Sequence, residues 1–171
     1  MPELPEVETI RRGLEPVLVG QPLVRVEARR PDLRFPLPEH FSERLRGRSF
    51  ERLERRAKYL IGHLQGEDAL IMHLGMTGRF TVVAGADAQA LGQYVYSHAA
   101  DARHNHVVFH FPDDVAVIYN DPRRFGFMVM TPSEEINAHP LLRALGPEPL
   151  SPAFTSEYLS ARAAGKKVNL K

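Results

Sequence analysis

The chain opens Met1-Pro2-Glu3-Leu4-Pro5-Glu6-Val7-Glu8. Removal of Met1 would leave Pro2 as a secondary amine at the terminus. An α-amine ionises near pH 8, against about 10.4 for a lysine, so part of it is unprotonated at neutral pH. Attack of such an amine on an aldehyde-level sugar carbon gives a charged iminium, an electron sink that labilises neighbouring bonds. Glu3 stands beside it and can give or take a proton. On residue type alone, the pair also reads as a plain chain terminus and an acid at a helix start.

Other residues with chemical potential lie further along. Lys58 opens an apolar strand next to Arg55 and Arg56, where it suits either a phosphate or the guarding of a strand edge. Glu6, three residues after Glu3, falls on the same side of a first helical turn, either shaping a pocket or meeting the helix dipole. Met76 and Phe125 read as core on composition, yet Gly75-Met76-Thr77-Gly78 is a turn that would push Met76 outward. Arg123 carries a fork of donors suited to base-edge acceptors, and Arg124 beside it suits an ion pair with Asp121. His104, His106 and His110 share parity, so an extended strand would set them on one face, as a histidine metal site requires. Lys166, Lys167 and Lys171 form a basic terminal stretch, either phosphate-binding or simply solvated.

These residues must be positioned by a chain of 171 residues with 43% apolar and 25% charged content, an ordinary globular composition for about one domain. The absence of cysteine removes disulfides, thiolate nucleophiles and cysteine-bound zinc, and suits a reducing cytosol. No apolar run approaches the roughly 20 residues of a membrane span, and the acidic start is unlike an export signal. Net charge is only +1, but Leu23 to Lys58 holds eleven Lys/Arg against six acids. Such a cluster binds phosphate or forms a solvated face.

Val7, Ile10, Leu14 and Leu18 predict a helix over 5–18, with Pro16 weakening its last turn. Short β patterns follow at 24–28, 49–53, 59–64, 69–73, 79–83, 107–111, 115–119 and 127–130. Eight short strands with tight connections suggest an antiparallel sandwich or barrel. Gly85 to His98 reads as a loop, the proline-rich stretch from Leu141 to Pro152 as a linker, and 157–164 as a short helix. The end at Asn169-Leu170-Lys171 has no closing feature, as expected of a piece of a longer protein.

The opening through Thr9, with Arg11-Arg12-Gly13-Leu14, closely resembles that of the bacterial formamidopyrimidine-DNA glycosylases, the 8-oxoguanine base-excision enzymes. Arg55-Arg56-Ala57-Lys58-Tyr59-Leu60, His73-Leu74-Gly75-Met76-Thr77-Gly78, Asn120-Asp121-Pro122-Arg123-Arg124-Phe125-Gly126 and Leu145-Gly146-Pro147-Glu148-Pro149-Leu150 follow in that family's order. The sister endonuclease-eight-like branch, which acts on oxidised pyrimidines, usually has Gly in place of Leu4 and lacks the Met76/Arg123/Phe125 set.

The resemblance implies a mainly β (α+β) fold, with an N-terminal helix and a two-layer antiparallel sandwich of about eight strands. Residues 1–135 would be the catalytic domain, and 136–171 a linker and the beginning of a helix–two-turns–helix domain. It implies Pro2 as Schiff-base nucleophile, Glu3 as proton donor, and Lys58 as proton donor in β-elimination and phosphate contact. Met76, Arg123 and Phe125 would fill the gap left by an everted base, with Arg123 reading the orphaned cytosine. His104, Lys167 and Lys171 would touch DNA. The implied activity is release of oxidised purines (8-oxoguanine, formamidopyrimidines) with abasic-site lyase action. The partner would be duplex DNA, met by a monomer in the bacterial cytoplasm. This chain would hold no cofactor; zinc belongs to a C-terminal four-cysteine finger of the full-length family. A damaged-DNA binding module without chemistry, an endonuclease-eight-like enzyme and a histidine metal site are the alternatives.

Overall fold

The computed structural model describes residues 2–85, 87–91 and 101–168. Helix α1 (Leu4–Leu18) buries Val7, Ile10, Leu14 and Leu18, the stripe expected from their spacing. Glu6 returns its Oε2 to the backbone N–H of Glu3 at 3.0 Å, the reciprocal arm of a capping box that fixes where the helix begins. Pro16 does not end the helix, which runs to Leu18 and closes with the Val19 N–H on the Glu15 carbonyl.

The strands are β1 (Arg25–Ala28), β2 (Phe50–Arg56), β3 (Tyr59–Leu64), β4 (Asp68–His73), β5 (Arg79–Ala84), β6 (Asp87–Leu91), β7 (Asn105–His110), β8 (Val115–Asn120) and β9 (Phe127–Pro132). A short helix α2 (Phe41–Leu45) lies between β1 and β2, and α3 (Ser156–Ala163) comes last. One sheet has the order β1-β7-β8-β5-β6 and the other β2-β3-β4-β9, with antiparallel pairing throughout. All eight expected strands are present. The ninth, β6, occupies part of the stretch read as a loop, where it extends the edge of β5 from Phe80↔Leu91 to Ala84↔Asp87. Position 86 and positions 92–98 of that stretch lie outside the described residues.

The main core joins the inner faces of both sheets, with Leu60, Leu70 and Met72 from one and Phe80, Phe109, Val117 and Tyr119 from the other, closed by the buried stripe of α1. Strands β3 and β4 are buried on their outer face as well. There Ile61, Ala69 and Ile71 are covered by Ile136 and Leu142, which follow β9. That second covering explains why β3 and β4 read as continuous apolar runs without alternation.

Candidate active site

Two elements bring the N-terminal residues and Lys58 together. Pro2 and Glu3 precede α1; Pro2 is buried and Glu3 half-buried. Lys58 reaches across from the β2–β3 hairpin, its Nζ 2.7 Å from Glu3 Oε2. The register pairs Arg56 with Tyr59, so Ala57 and Lys58 form the turn itself, and Lys58 sits at the hairpin tip rather than opening a strand. Ala57 takes the left-handed conformation there (φ 50°).

Arg55 and Arg56 are engaged in ion pairs and do not form a phosphate-facing patch with Lys58. Arg55 donates to Glu8 Oε2 (3.2 Å) and Glu148 Oε2 (2.7 Å), and Arg56 to Glu148 Oε1 (2.9 Å) and the Gly146 carbonyl (2.5 Å). The Arg11 side chain, with Arg12 and Arg55 adding to it against a smaller effect of burial, lowers the Glu8 carboxyl to about 2. Burial acts to raise the Glu148 carboxyl, but the Ala57 N–H and the two guanidinium groups outweigh it and leave the value lowered.

His73 is a site residue without a role in the sequence reading, although it opens the motif that contains Met76. It pairs in register with Tyr59 on one side and Phe127 on the other, stacks on Phe127 at 5.2 Å, and accepts the Gly75 N–H at Nδ1 (3.0 Å). Burial, then the charges of Lys58 and Arg34, pushes its pKa down. It therefore links the Lys58 hairpin to the turn that bears Met76. The available signal was an aromatic pair at facing strand ends, visible only once β3 and β4 are aligned.

Met76 and Phe125 each keep 42% of their surface exposed, so neither belongs to the core. Their two turns are in direct contact. Gly75 (φ 62°) lies so close to the Phe125 carbonyl carbon and the Gly126 nitrogen that a Cβ would overlap both. The Arg123 guanidinium lies over the Phe125 ring at 4.6 Å. Beneath them the fully buried Asp121 accepts from Thr77 Oγ1 (2.5 Å), Gly126 N–H (2.8 Å) and Tyr119 OH (3.2 Å). The expected Arg124–Asp121 ion pair does not form: Arg124 touches Asp121 through its backbone N–H alone, since the carboxylate faces inward to those donors. The result is an exposed Met76–Arg123–Phe125 prominence on a rigid base.

The three histidines do not converge: the His104 and His106 rings lie 6.3 Å apart edge to face, while His110 has a partner of its own. His104 ends a short 3-10 turn, and its carbonyl accepts the Asp121 N–H at 3.0 Å, which ties it to the same base. His106 is buried with Nε2 at the Asp121 carbonyl (2.9 Å), and His110 turns to Glu27 (2.7 Å). Among the described residues, no group of three or more metal-binding side chains could hold an ion. Lys167 follows α3 in an exposed stretch, while Met1 and Lys171 lie outside the described residues.

Residues 1–128 match the family model described as the formamidopyrimidine-DNA glycosylase N-terminal domain. The chain is 51% identical over 174 residues to the formamidopyrimidine-DNA glycosylase of Azorhizobium caulinodans, covering 100% of this chain and 58% of that protein. It is 52% identical over 167 residues to that of Phenylobacterium zucineum, covering 98% and 58%. Among solved structures it resembles Lactococcus lactis Fpg in complex with DNA containing an abasic site, with a TM-score of 0.78 and 30% identity over 94% of this chain and 55% of that one. The same protein bound to DNA containing an oxidised pyrimidine gives a TM-score of 0.76 at 30% identity, over 94% and 56%. The chain thus spans 58% of the length of these curated relatives.

Proposed function

The chain belongs to the formamidopyrimidine-DNA glycosylase family, and from that premise we propose that it carries the catalytic part of a DNA glycosylase and abasic-site lyase acting on oxidised purines. The observation that carries this reading is the Glu3–Lys58 contact at 2.7 Å, which gathers a carboxyl group and an ammonium beside Pro2. With Met1 removed, the Pro2 nitrogen attacks C1′ of the damaged nucleotide. The base departs with a proton supplied through Glu3, and the proton that the Pro2 nitrogen sheds passes through the same carboxylate to O4′ as the C1′–O4′ bond breaks and the sugar opens to an iminium on Pro2. The iminium acidifies the C2′ proton. The Glu3 carboxylate takes that proton, the electron pair left on C2′ forms the C2′–C3′ double bond, and the C3′ oxygen departs with its phosphate, with Lys58 as proton donor to it and phosphate contact.

Met76, Arg123 and Phe125 are the side chains offered to the space left by the everted base, with Arg123 facing the opposite cytosine. His104 and Lys167, with Lys171, add contacts to duplex DNA. Residues 1–135 are the proposed catalytic domain, and 136–171 the lead into a helix–two-turns–helix domain. This chain has no cysteine, so it does not itself fit a four-cysteine zinc site. We place that finger in the length of the relatives that this chain does not span. The proposed setting is the bacterial cytoplasm, as a monomer; no described helix is long and apolar enough to cross a membrane.

Because the Lactococcus complex contains an oxidised pyrimidine, base release is compared on duplexes carrying 8-oxoguanine and an oxidised pyrimidine, and faster release of the purine is expected. The deciding experiment is borohydride trapping on a duplex with one abasic site, after intact mass has confirmed the loss of Met1. We expect a covalent adduct that peptide mapping places on Pro2. An adduct on Lys58 would move the nucleophile. No adduct from a chain lacking Met1 would show that this chain alone does not perform the reaction and that the rest of the relatives' length is needed to hold DNA against the amine, whereas retention of Met1 would favour a damaged-DNA binding module.

A further inference from the structure

We infer that Glu148 is a positioning residue for Lys58, tying the hairpin that presents Lys58 to the helix that presents Pro2 and Glu3. The inference rests on the reaction proposed above. It starts from the hairpin tip. The turn is only Ala57-Lys58, and Ala57 holds a left-handed backbone that side-chain-bearing residues disfavour. Such a turn usually carries Gly, Asn or Asp. Here Glu148 Oε1 accepts the Ala57 N–H at 2.6 Å, and Arg55 Nη1 donates to the Ala57 carbonyl at 3.0 Å. Both polar atoms of the residue preceding Lys58 are therefore held by one network.

The network continues to the helix. Glu148 Oε2 binds Arg55 Nη1 at 2.7 Å, and Arg55 Nε reaches Glu8 Oε2 at 3.2 Å on α1. Glu8 is anchored in turn by Arg11 (3.1 Å) and Arg12 (2.8 Å) of the same helix. The route from Ala57 through Glu148, Arg55 and Glu8 fixes the hairpin tip against α1, whose N-terminal end places Glu3 opposite Lys58. Glu148 is itself held firmly. Pro147 and Pro149 flank it and restrict the backbone. The Gly146 and Leu145 carbonyls both accept from Arg56 Nη2 (2.5 and 3.3 Å), while Leu145 packs on the outer core. A segment beyond the sandwich strands thereby sets where the Lys58 ammonium lies.

The test compares Glu148→Ala, Glu148→Gln and the unsubstituted chain in three measurements on an abasic-site duplex and on free protein. Borohydride trapping reads Pro2, strand scission reads the step assigned to Lys58, and acetylation followed by mass spectrometry reads Lys58 directly, with exposed Lys166 and Lys167 as internal controls. For Glu148→Ala we expect trapping within twofold, scission at least tenfold slower, and Lys58 acetylated at least threefold faster once its hold on Glu3 loosens. Glu148→Gln keeps an acceptor for the Ala57 N–H and should fall between. A general loss of structure would lower trapping and scission together, and that outcome overturns the inference. So does unchanged scission, or unchanged Lys58 acetylation. If the unsubstituted chain forms no adduct, the proposed reaction fails, and the acetylation ratio alone then decides whether Glu148 positions Lys58.

Discussion

Asp121 has no exposed surface, and neutral groups hold its carboxylate: a hydroxyl of Thr77, the phenol of Tyr119 and the N–H of Gly126. Asp121→Ala would take the acceptor from the Thr77 hydroxyl and the Gly126 N–H in a closed site, at roughly 1–3 kcal/mol apiece where no water enters. We expect the variant to lose about 3 kcal/mol of stability by urea denaturation, more than any single surface charge would supply. Arg123, by contrast, is exposed and stacks on Phe125 at 4.6 Å. Its guanidinium is free to face a base edge, and one good bidentate contact is worth roughly 1–3 kcal/mol of discrimination. Arg123→Ala should therefore leave the urea midpoint unchanged and reduce the preference for cytosine over adenine opposite an abasic site by about tenfold, read by competition binding.

The turns that bear Met76 and Phe125 show how tightly two elements are matched. A methyl at Gly75 would overlap the Phe125–Gly126 backbone, and its φ of 62° already excludes a relaxed side chain. Gly75→Ala should cost about 3 kcal/mol, the sum of a left-handed alanine and forced repacking, and thermal unfolding checks it. That glycine was legible as a turn signal, as were the eight strands, marked by short apolar, β-branched or aromatic runs with Gly, Pro and Asp residues between them. Strand β6 was not, because its Asp-Ala-Gln-Ala-Leu sequence lacks β-branched or aromatic residues; it forms where the edge of β5 offers a ladder. The Lys58 turn was hidden for a similar reason. Nothing in Arg55-Arg56-Ala57-Lys58 signals a reversal, since the group that stabilises it, Glu148, lies 91 residues further on. At the site, Pro2, Glu3 and Lys58 were legible by motif. The Glu8–Arg55–Glu148 connection and the role of His73 needed the strand register.

Across the whole molecule, titration should reveal two separate sets of contacts. Burial lowers the pKa of His73 and of His106, the first also through Lys58 and the second against an opposing bond to the Asp121 carbonyl. Their ordinary value is 6.5. Above it both the folded and unfolded chains carry neutral imidazoles, and this contribution to stability is fully present. As the pH falls below it, the unfolded chain binds protons that the folded chain does not, so stability declines until the lower folded values are reached. The neutral form is also the one in which His73 Nδ1 can accept the Gly75 N–H. The second set is acidic. Glu8, held by Arg11 first among its partners, titrates near 2 in the fold against an ordinary 4.5. Its contribution is complete above 4.5 and is lost as the pH falls toward 2. Thermal unfolding should thus show a plateau above the ordinary histidine value of 6.5, a first drop as the pH falls below it, and a second below the ordinary 4.5 of a glutamate. His73→Asn, whose side-chain oxygen can replace Nδ1 as acceptor, should shrink the first drop to the part that His106 supplies and leave the second intact. A midpoint that rises between pH 7 and 5 would contradict the neutral, buried His73 that joins the Lys58 hairpin to the Met76 turn.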